Sequence, residues 1–146
     1  GYWFHLYIDQ RFFRDYIPKV AEFLDESGVV TDRRDETAYV LVKKSGERIT
    51  LSRYLSEEYY YGDYTRMNTW LAEKYHLPDT LETPENPGIA EVDYRDLEKV
   101  LEELRGYWGV PAEAADHLKV FDREDLLEFL ESAAAEAVLR EDRHKR

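Results

Sequence analysis

Apolar residues change their spacing along this chain, and each change marks an element. Tyr2 to Ile8 (YWFHLYI) is apolar on both parities with only His5 polar, which predicts a central strand covered on both faces. Asp9 then offers a helix N-cap. Phe12, Phe13, Tyr16, Val20, Phe23 and Leu24 recur at helical spacing up to Gly28, a natural residue to follow a helix end. Pro18 removes a backbone donor inside that pattern. It predicts a kink, or a short first turn followed by a helix starting near Ile17.

Val29 to Thr31 reads as the start of a strand, and Asp32 to Glu36 (DRRDE) as a charged turn. Thr37–Lys43 (TAYVLVK) and Glu47–Leu55 (ERITLSRYL) are rich in β-branched and aromatic residues, and Lys44-Ser45-Gly46 joins them as an antiparallel hairpin. Two registers are open. A two-residue Ser45-Gly46 turn puts Val40, Val42, Ile49 and Leu51 on one face. A three-residue turn with Gly46 in the left-handed region puts Tyr39, Leu41, Ile49 and Leu51 together, and is preferred because Ser starts a primed turn poorly.

Ser56 to Asp63 reads as a loop or a single helical turn. Met67, Trp70, Leu71 and Tyr75 predict a helix from about Tyr64 to His76, capped by Asp63 and stopped by Pro78. PDTLETPENPG, framed by Pro78, Pro84 and Pro87, is either a long surface loop or a subdomain boundary, and the loop is favoured. Ile89 to Val92 reads as a short edge strand. Asp93 caps a helix over 94–105, where Leu97, Val100, Leu101 and Leu104 follow i, i+3, i+4, i+7 and Gly106 ends it. Tyr107, Trp108 and Val110 are expected to pack inward. Pro111 opens a short helix through His117 and Leu118. Asp122 caps a last helix over 123–140 with Leu126, Leu127, Leu130, Ala134, Val138 and Leu139 on its buried stripe; the closing REDRHKR suits a helix C-terminus and is expected to fray.

These elements predict an α+β fold: one small sheet holding the N-terminal strand and the 37–55 hairpin, four to five helices, and an all-helical C-terminal part. At 146 residues the chain fits one domain, 1–146, with a possible subdivision into an α+β part (1–77) and a helical part (89–146). Three Trp, twelve Tyr and six Phe supply a bulky core despite 36% charged residues. The absence of cysteine excludes disulfides and thiolate metal sites, and fits a reducing cytoplasm. No apolar run approaches the roughly 18 residues of a membrane span. The chain opens on Gly rather than Met, so it reads as trimmed, processed or carrying a tag remnant.

Charge narrows the partners. A net charge of −12 repels phosphate backbones, so direct nucleic-acid binding and docking on anionic membranes are disfavoured, while a basic protein surface is attracted. The plainer reading is that acidity keeps the chain soluble.

Catalytic signatures are missing. There is no GxGxxG, P-loop, GxSxG or HExxH, and His5, His76, His117 and His144 lie far apart, so no metal and no cofactor are expected. An acid–base site would need the fold to bring His5 and Asp9 near a tyrosine of the 59–61 run.

The positive signal is SEEYYYGDY, directly behind the hairpin. Five of the twelve tyrosines lie between Tyr54 and Tyr64, beside Glu57, Glu58 and Asp63. Phenol rings bring rigid contact area, and neighbouring carboxylates take arginine in bidentate fashion, so Glu57, Glu58, Tyr59, Tyr60, Tyr61, Asp63 and Tyr64 are candidate contacts for a basic partner. Against this, alternate tyrosines after a strand commonly point inward. A second signal is Asp79 to Arg105, with nine Asp or Glu against three Lys or Arg. Asp96, Glu98, Glu102 and Glu103 are expected outward on the 94–105 helix, where they would imitate a phosphate track, or simply be a solvated face. Glu58-Tyr59-Tyr60-Tyr61-Gly62, followed by Trp70, locally resembles the Tyr-Tyr-Gly…Trp stretch of barstar-type ribonuclease inhibitors. The Trp stands one place further on and that family's preceding long helix is missing, so the resemblance carries no residue over and points only toward small acidic inhibitors.

The leading expectation is therefore a non-enzymatic acidic protein-binding module, an inhibitor, immunity or anti-defence type protein that blocks a basic surface. The alternatives are a small enzyme or small-molecule binder with a pocket near His5 and tyrosines, and a structural domain of a larger assembly, which a broad exposed apolar patch would favour.

Overall fold

The computed structural model describes residues 2–78, 85, 86, 88 and 93–144, the side chains of 94, 105, 107 and 141–144 aside. The fold is α+β, with a three-stranded antiparallel sheet and a helical C-terminal part. The expected edge strand at 89–92, most of the 78–88 linker and the end of the basic tail lie outside the described residues. The chain divides into two compact units, Gly1–Asp63 with Leu118–Arg146, and Tyr64–His117.

In the first unit the N-terminal apolar run is a helix, α1 (Tyr2–Arg11), rather than a strand. A run apolar on both parities is also apolar around a helix, so its spacing does not choose between the two. Ile8 is its sole β-branched residue, and Trp3, Tyr7 and Arg11, spaced i, i+4, i+8, serve a helical face. The chain continues through a turn of π-helix (Phe12–Tyr16) into α2 (Ile17–Val20), whose first turn holds Pro18. The helix restart near Ile17 is as the sequence predicts, because a proline there gives up a hydrogen bond that a first turn does not make.

The helical pattern predicted as far as Leu24 stops at Val20. Ala21 turns extended, and β1 (Ala21–Leu24) pairs antiparallel with β2 (Tyr39–Val42), so Phe23 and Leu24 serve a strand. Ladder pairing outweighs helix propensity over four residues. Gly28 has positive φ (82°), but in a tight loop where its N–H reaches the Asp25 carbonyl at 3.0 Å, not after a helix. Beyond it Val30 bridges back to Leu24, the trace of strand that Val29 to Thr31 predict.

β2 pairs with β3 (Glu47–Thr50), Val40 opposite Ile49 and Val42 opposite Glu47. Four residues, Lys43 to Gly46, make the turn, and the Gly46 N–H closes it on the Val42 carbonyl at 2.8 Å with φ at 74°. Left-handed Gly46 is as expected. The preferred pairing of Tyr39 and Leu41 with Ile49 and Leu51 is not: the extra turn residue moves parity by one, and Val40, Val42 and Ile49 are buried together with Ala21. The second arm also ends early. Thr50 accepts the Arg53 N–H in its side chain and caps α3 (Leu51–Tyr54), so Leu51 to Leu55 leave the sheet.

Phe12 and Tyr16 of the π turn are the centre of the core. Phe12 stacks on Tyr16 at 5.3 Å between centroids, and Phe121 and Phe129 close on both at 5.6–5.9 Å. Phe129 belongs to α6 (Arg123–His144), which Asp122 caps by accepting the Glu124 and Asp125 N–H groups at 3.0 and 3.1 Å. The stripe α6 buries is Leu126, Phe129, Ala133 and Ala137, while the expected Val138 and Leu139 are exposed. Alanine allows α1 to approach closely, so the face containing Ala133 and Ala137 turns inward in place of the longer side chains.

α4 (Tyr60–Tyr75) starts four residues earlier than predicted and ends where His76 takes positive φ (51°), ahead of Pro78. In the second unit, α5 (Tyr94–Gly106) begins at the Asp93 cap, whose carboxylate accepts the Arg95 N–H at 3.0 Å. Two 3₁₀ turns follow, Tyr107–Gly109 and Ala112–His117. Thr69 donates to the Trp108 carbonyl at 3.2 Å.

Candidate interaction surface

The acid-tyrosine segment splits between inside and outside. Ser56 to Tyr59 make the turn into α4, which places Tyr60, Tyr61 and Asp63 in its first turn. Tyr59 is buried, its hydroxyl donating to Glu47 at 3.3 Å and its ring under the Arg53 guanidinium at 5.1 Å; burial pushes its phenol pKa up. Tyr60 is buried against Tyr54 (5.3 Å) and Phe121 (5.6 Å). Both rings were candidates for outward contact. They are core instead, because the loop before α6 brings Phe121 against the start of α4.

Asp63 departs furthest from expectation. It is neither a cap nor a surface group: at 0% exposure its carboxylate accepts the backbone N–H of Lys119 (2.9 Å), Val120 (2.7 Å) and Phe121 (2.9 Å). A buried carboxylate needs such donors, and consecutive backbone amides supply them. No local pattern in the sequence announces this role.

Outside are Tyr61, 51% exposed and edge-on to Tyr60 at 5.4 Å, Tyr64, and the exposed carboxylates Glu57 and Glu58. Glu58 takes Arg53 in bidentate fashion at 2.6 and 3.1 Å, which raises the guanidinium pKa further. The segment already satisfies an arginine of its own chain. On α5, Asp96, Glu98, Glu102 and Glu103 are all exposed as expected, with Lys99 against Asp96 at 3.2 Å.

A surface that the periodicity hid lies on α1. Its inner side meets α6: the Tyr7 hydroxyl donates to Glu136 at 2.9 Å, Arg11 donates to that hydroxyl at 2.9 Å and pairs with Glu136, and Arg140 lies 4.9 Å over the Tyr7 ring. Trp3 stacks on Tyr7 at 5.3 Å. Hydrogen bonds from Tyr7 and then Arg11 hold the Glu136 carboxyl below the usual range. The outer side carries Tyr2 and Leu6 at i and i+4, exposed by 79% and 48%, and Phe13 on the π turn beyond α1 is exposed by 60%. Tyr2 and Leu6, of equal parity, would share a face in a strand as well, and the helix brings them one turn apart on its exposed side.

His5 pairs with Asp9 at 3.2 Å on exposed α1, where a helical turn brings them together. Among the described residues, no group of three or more His, Cys, Asp or Glu is placed to hold a metal ion, and no helix is long and apolar enough to cross a membrane. No protein-family model, curated protein or solved structure matches this chain.

Proposed function

We propose that this chain is a non-enzymatic protein-binding module whose contact runs along the outer stripe of α1. One observation carries this reading: Tyr2 and Leu6 stand exposed one turn apart on α1 and Phe13 stands exposed on the π turn that follows, a grouping of large apolar side chains typical of protein interfaces. The partner that fits is an apolar groove rimmed by cations, because Asp9 lies within the stripe and the chain carries a net charge of −12. In function the module is an inhibitor or immunity-type protein, anti-defence proteins included, that occupies a basic surface of a cytoplasmic partner. A domain of a larger assembly would use the same stripe permanently.

A second reading draws on α5. Its outward Asp96, Glu98, Glu102 and Glu103 support binding of a basic, nucleic-acid-binding protein by imitation of a phosphate track.

Pull-down from native lysate at low and high salt tests both, using the full chain, the pair Leu6→Glu with Phe13→Glu, and the neutralised set Asp96→Asn, Glu98→Gln, Glu102→Gln and Glu103→Gln. A basic partner that the first variant loses and the second keeps supports the α1 reading. Loss confined to the second variant moves the site to α5. Capture that ignores both changes, or no capture at either salt, overturns the function.

A further inference from the structure

We infer that α1 is a hinged arm, held closed on α6 by a charged clasp and able to swing out about the π turn while the core stays folded. Tyr7 is the one residue that α1 buries, and it meets α6 through its hydroxyl and the face of its ring. The clasp is Tyr7, Arg11, Glu136 and Arg140, with Glu136 46% exposed, so water and salt reach the pair that closes it. Asp15, on the π turn, draws Arg11 from the other side and also takes Arg14 at 2.6 Å, so Arg11 keeps a partner when Glu136 lets go. Immediately beyond Arg11 the character reverses: Phe12 and Tyr16 are buried in the aromatic core. A loosely held helix joined to a fixed point by an irregular turn is the construction of a hinge. Opening frees the Tyr7 ring and hydroxyl, which the closed arm keeps against Arg140 and Glu136 of α6. The arm is a property of this chain alone and does not rest on α1 meeting a partner.

The absence of cysteine makes the test direct. Spin labels on His5→Cys and Ser132→Cys, both exposed positions, report the separation of α1 and α6 by pulsed electron resonance in the full chain. A second, longer distance is expected beside the closed one. Its ratio to the closed form should rise with salt, and about tenfold on Glu136→Gln, the size of one lost charge-assisted hydrogen bond. A single distance that neither salt nor Glu136→Gln changes overturns the hinge. So does loss of the whole fold on Glu136→Gln, read by circular dichroism, since the clasp would then hold the core and not an arm.

Discussion

The Asp63 carboxylate accepts the Val120 N–H at 2.7 Å, and the amides on either side of Val120 turn to the same carboxylate at 2.9 Å. One side chain thereby ties the first turn of α4 to the approach to α6. A carboxylate offers only acceptors; an amide would turn donors toward donors. Asp63→Asn is expected to cost roughly 3 kcal/mol, seen as a lower urea midpoint at unchanged slope. A cost under about 1 kcal/mol would mean that these amides find other acceptors.

Adjacent tyrosines should separate sharply. Tyr60 fills space between Tyr54 and Phe121, so Tyr60→Ala is expected to cost about 3–5 kcal/mol. Tyr61 is half in solvent, and Tyr61→Ala should cost less than about 1 kcal/mol. Denaturant titration of both variants checks the inside–outside division, and equal losses would refute it.

Features that depend on a few neighbouring residues were legible in the sequence. Asp93 and Asp122 cap helices as their side chains dictate, Pro18 sits in a first turn, and Gly46 takes the left-handed conformation. The outward carboxylates of α5 follow from its strong 3.6-residue period. What failed was decided by distant contacts. Tyr2 to Ile8 fits either period, so its spacing alone does not select the helix. Phe23 and Leu24 continue a helical pattern until β2 claims them. For Asp63, Tyr59 and Tyr60, acidity and aromaticity describe a surface and an interior equally well, and the segment 119–121 decides between them.

Gly46 closes the β2–β3 turn with φ at 74° and has open space where a Cβ would project. The penalty for a side chain is therefore conformational, not steric. Gly46→Ala is expected to lower stability by about 1 kcal/mol, and Gly46→Asn by less, because Asn tolerates the left-handed region. Thermal melts of the two variants check the order. Equal behaviour of Ala and wild type would show that the turn relaxes out of that conformation.

The α1–α6 clasp should be sensitive to acid in a defined direction. Glu136 is held below its ordinary range by Tyr7 and Arg11, so the folded chain binds its proton less readily than the unfolded chain does. Such a group contributes fully above the ordinary glutamate value, about 4.3, and its contribution is lost as pH falls through the lower folded value. Asp15, depressed by Arg14 and Arg11, titrates in the same sense but is present in both wild type and Glu136→Gln, so it cancels from their difference. The melting temperature of Glu136→Gln is therefore expected to lie below wild type at neutral pH, with the gap closing as pH drops below about 4. A gap that persists unchanged into acid would assign the loss to packing of the side chain, because a protonated glutamate and a glutamine offer Arg11 and Arg140 the same lack of charge.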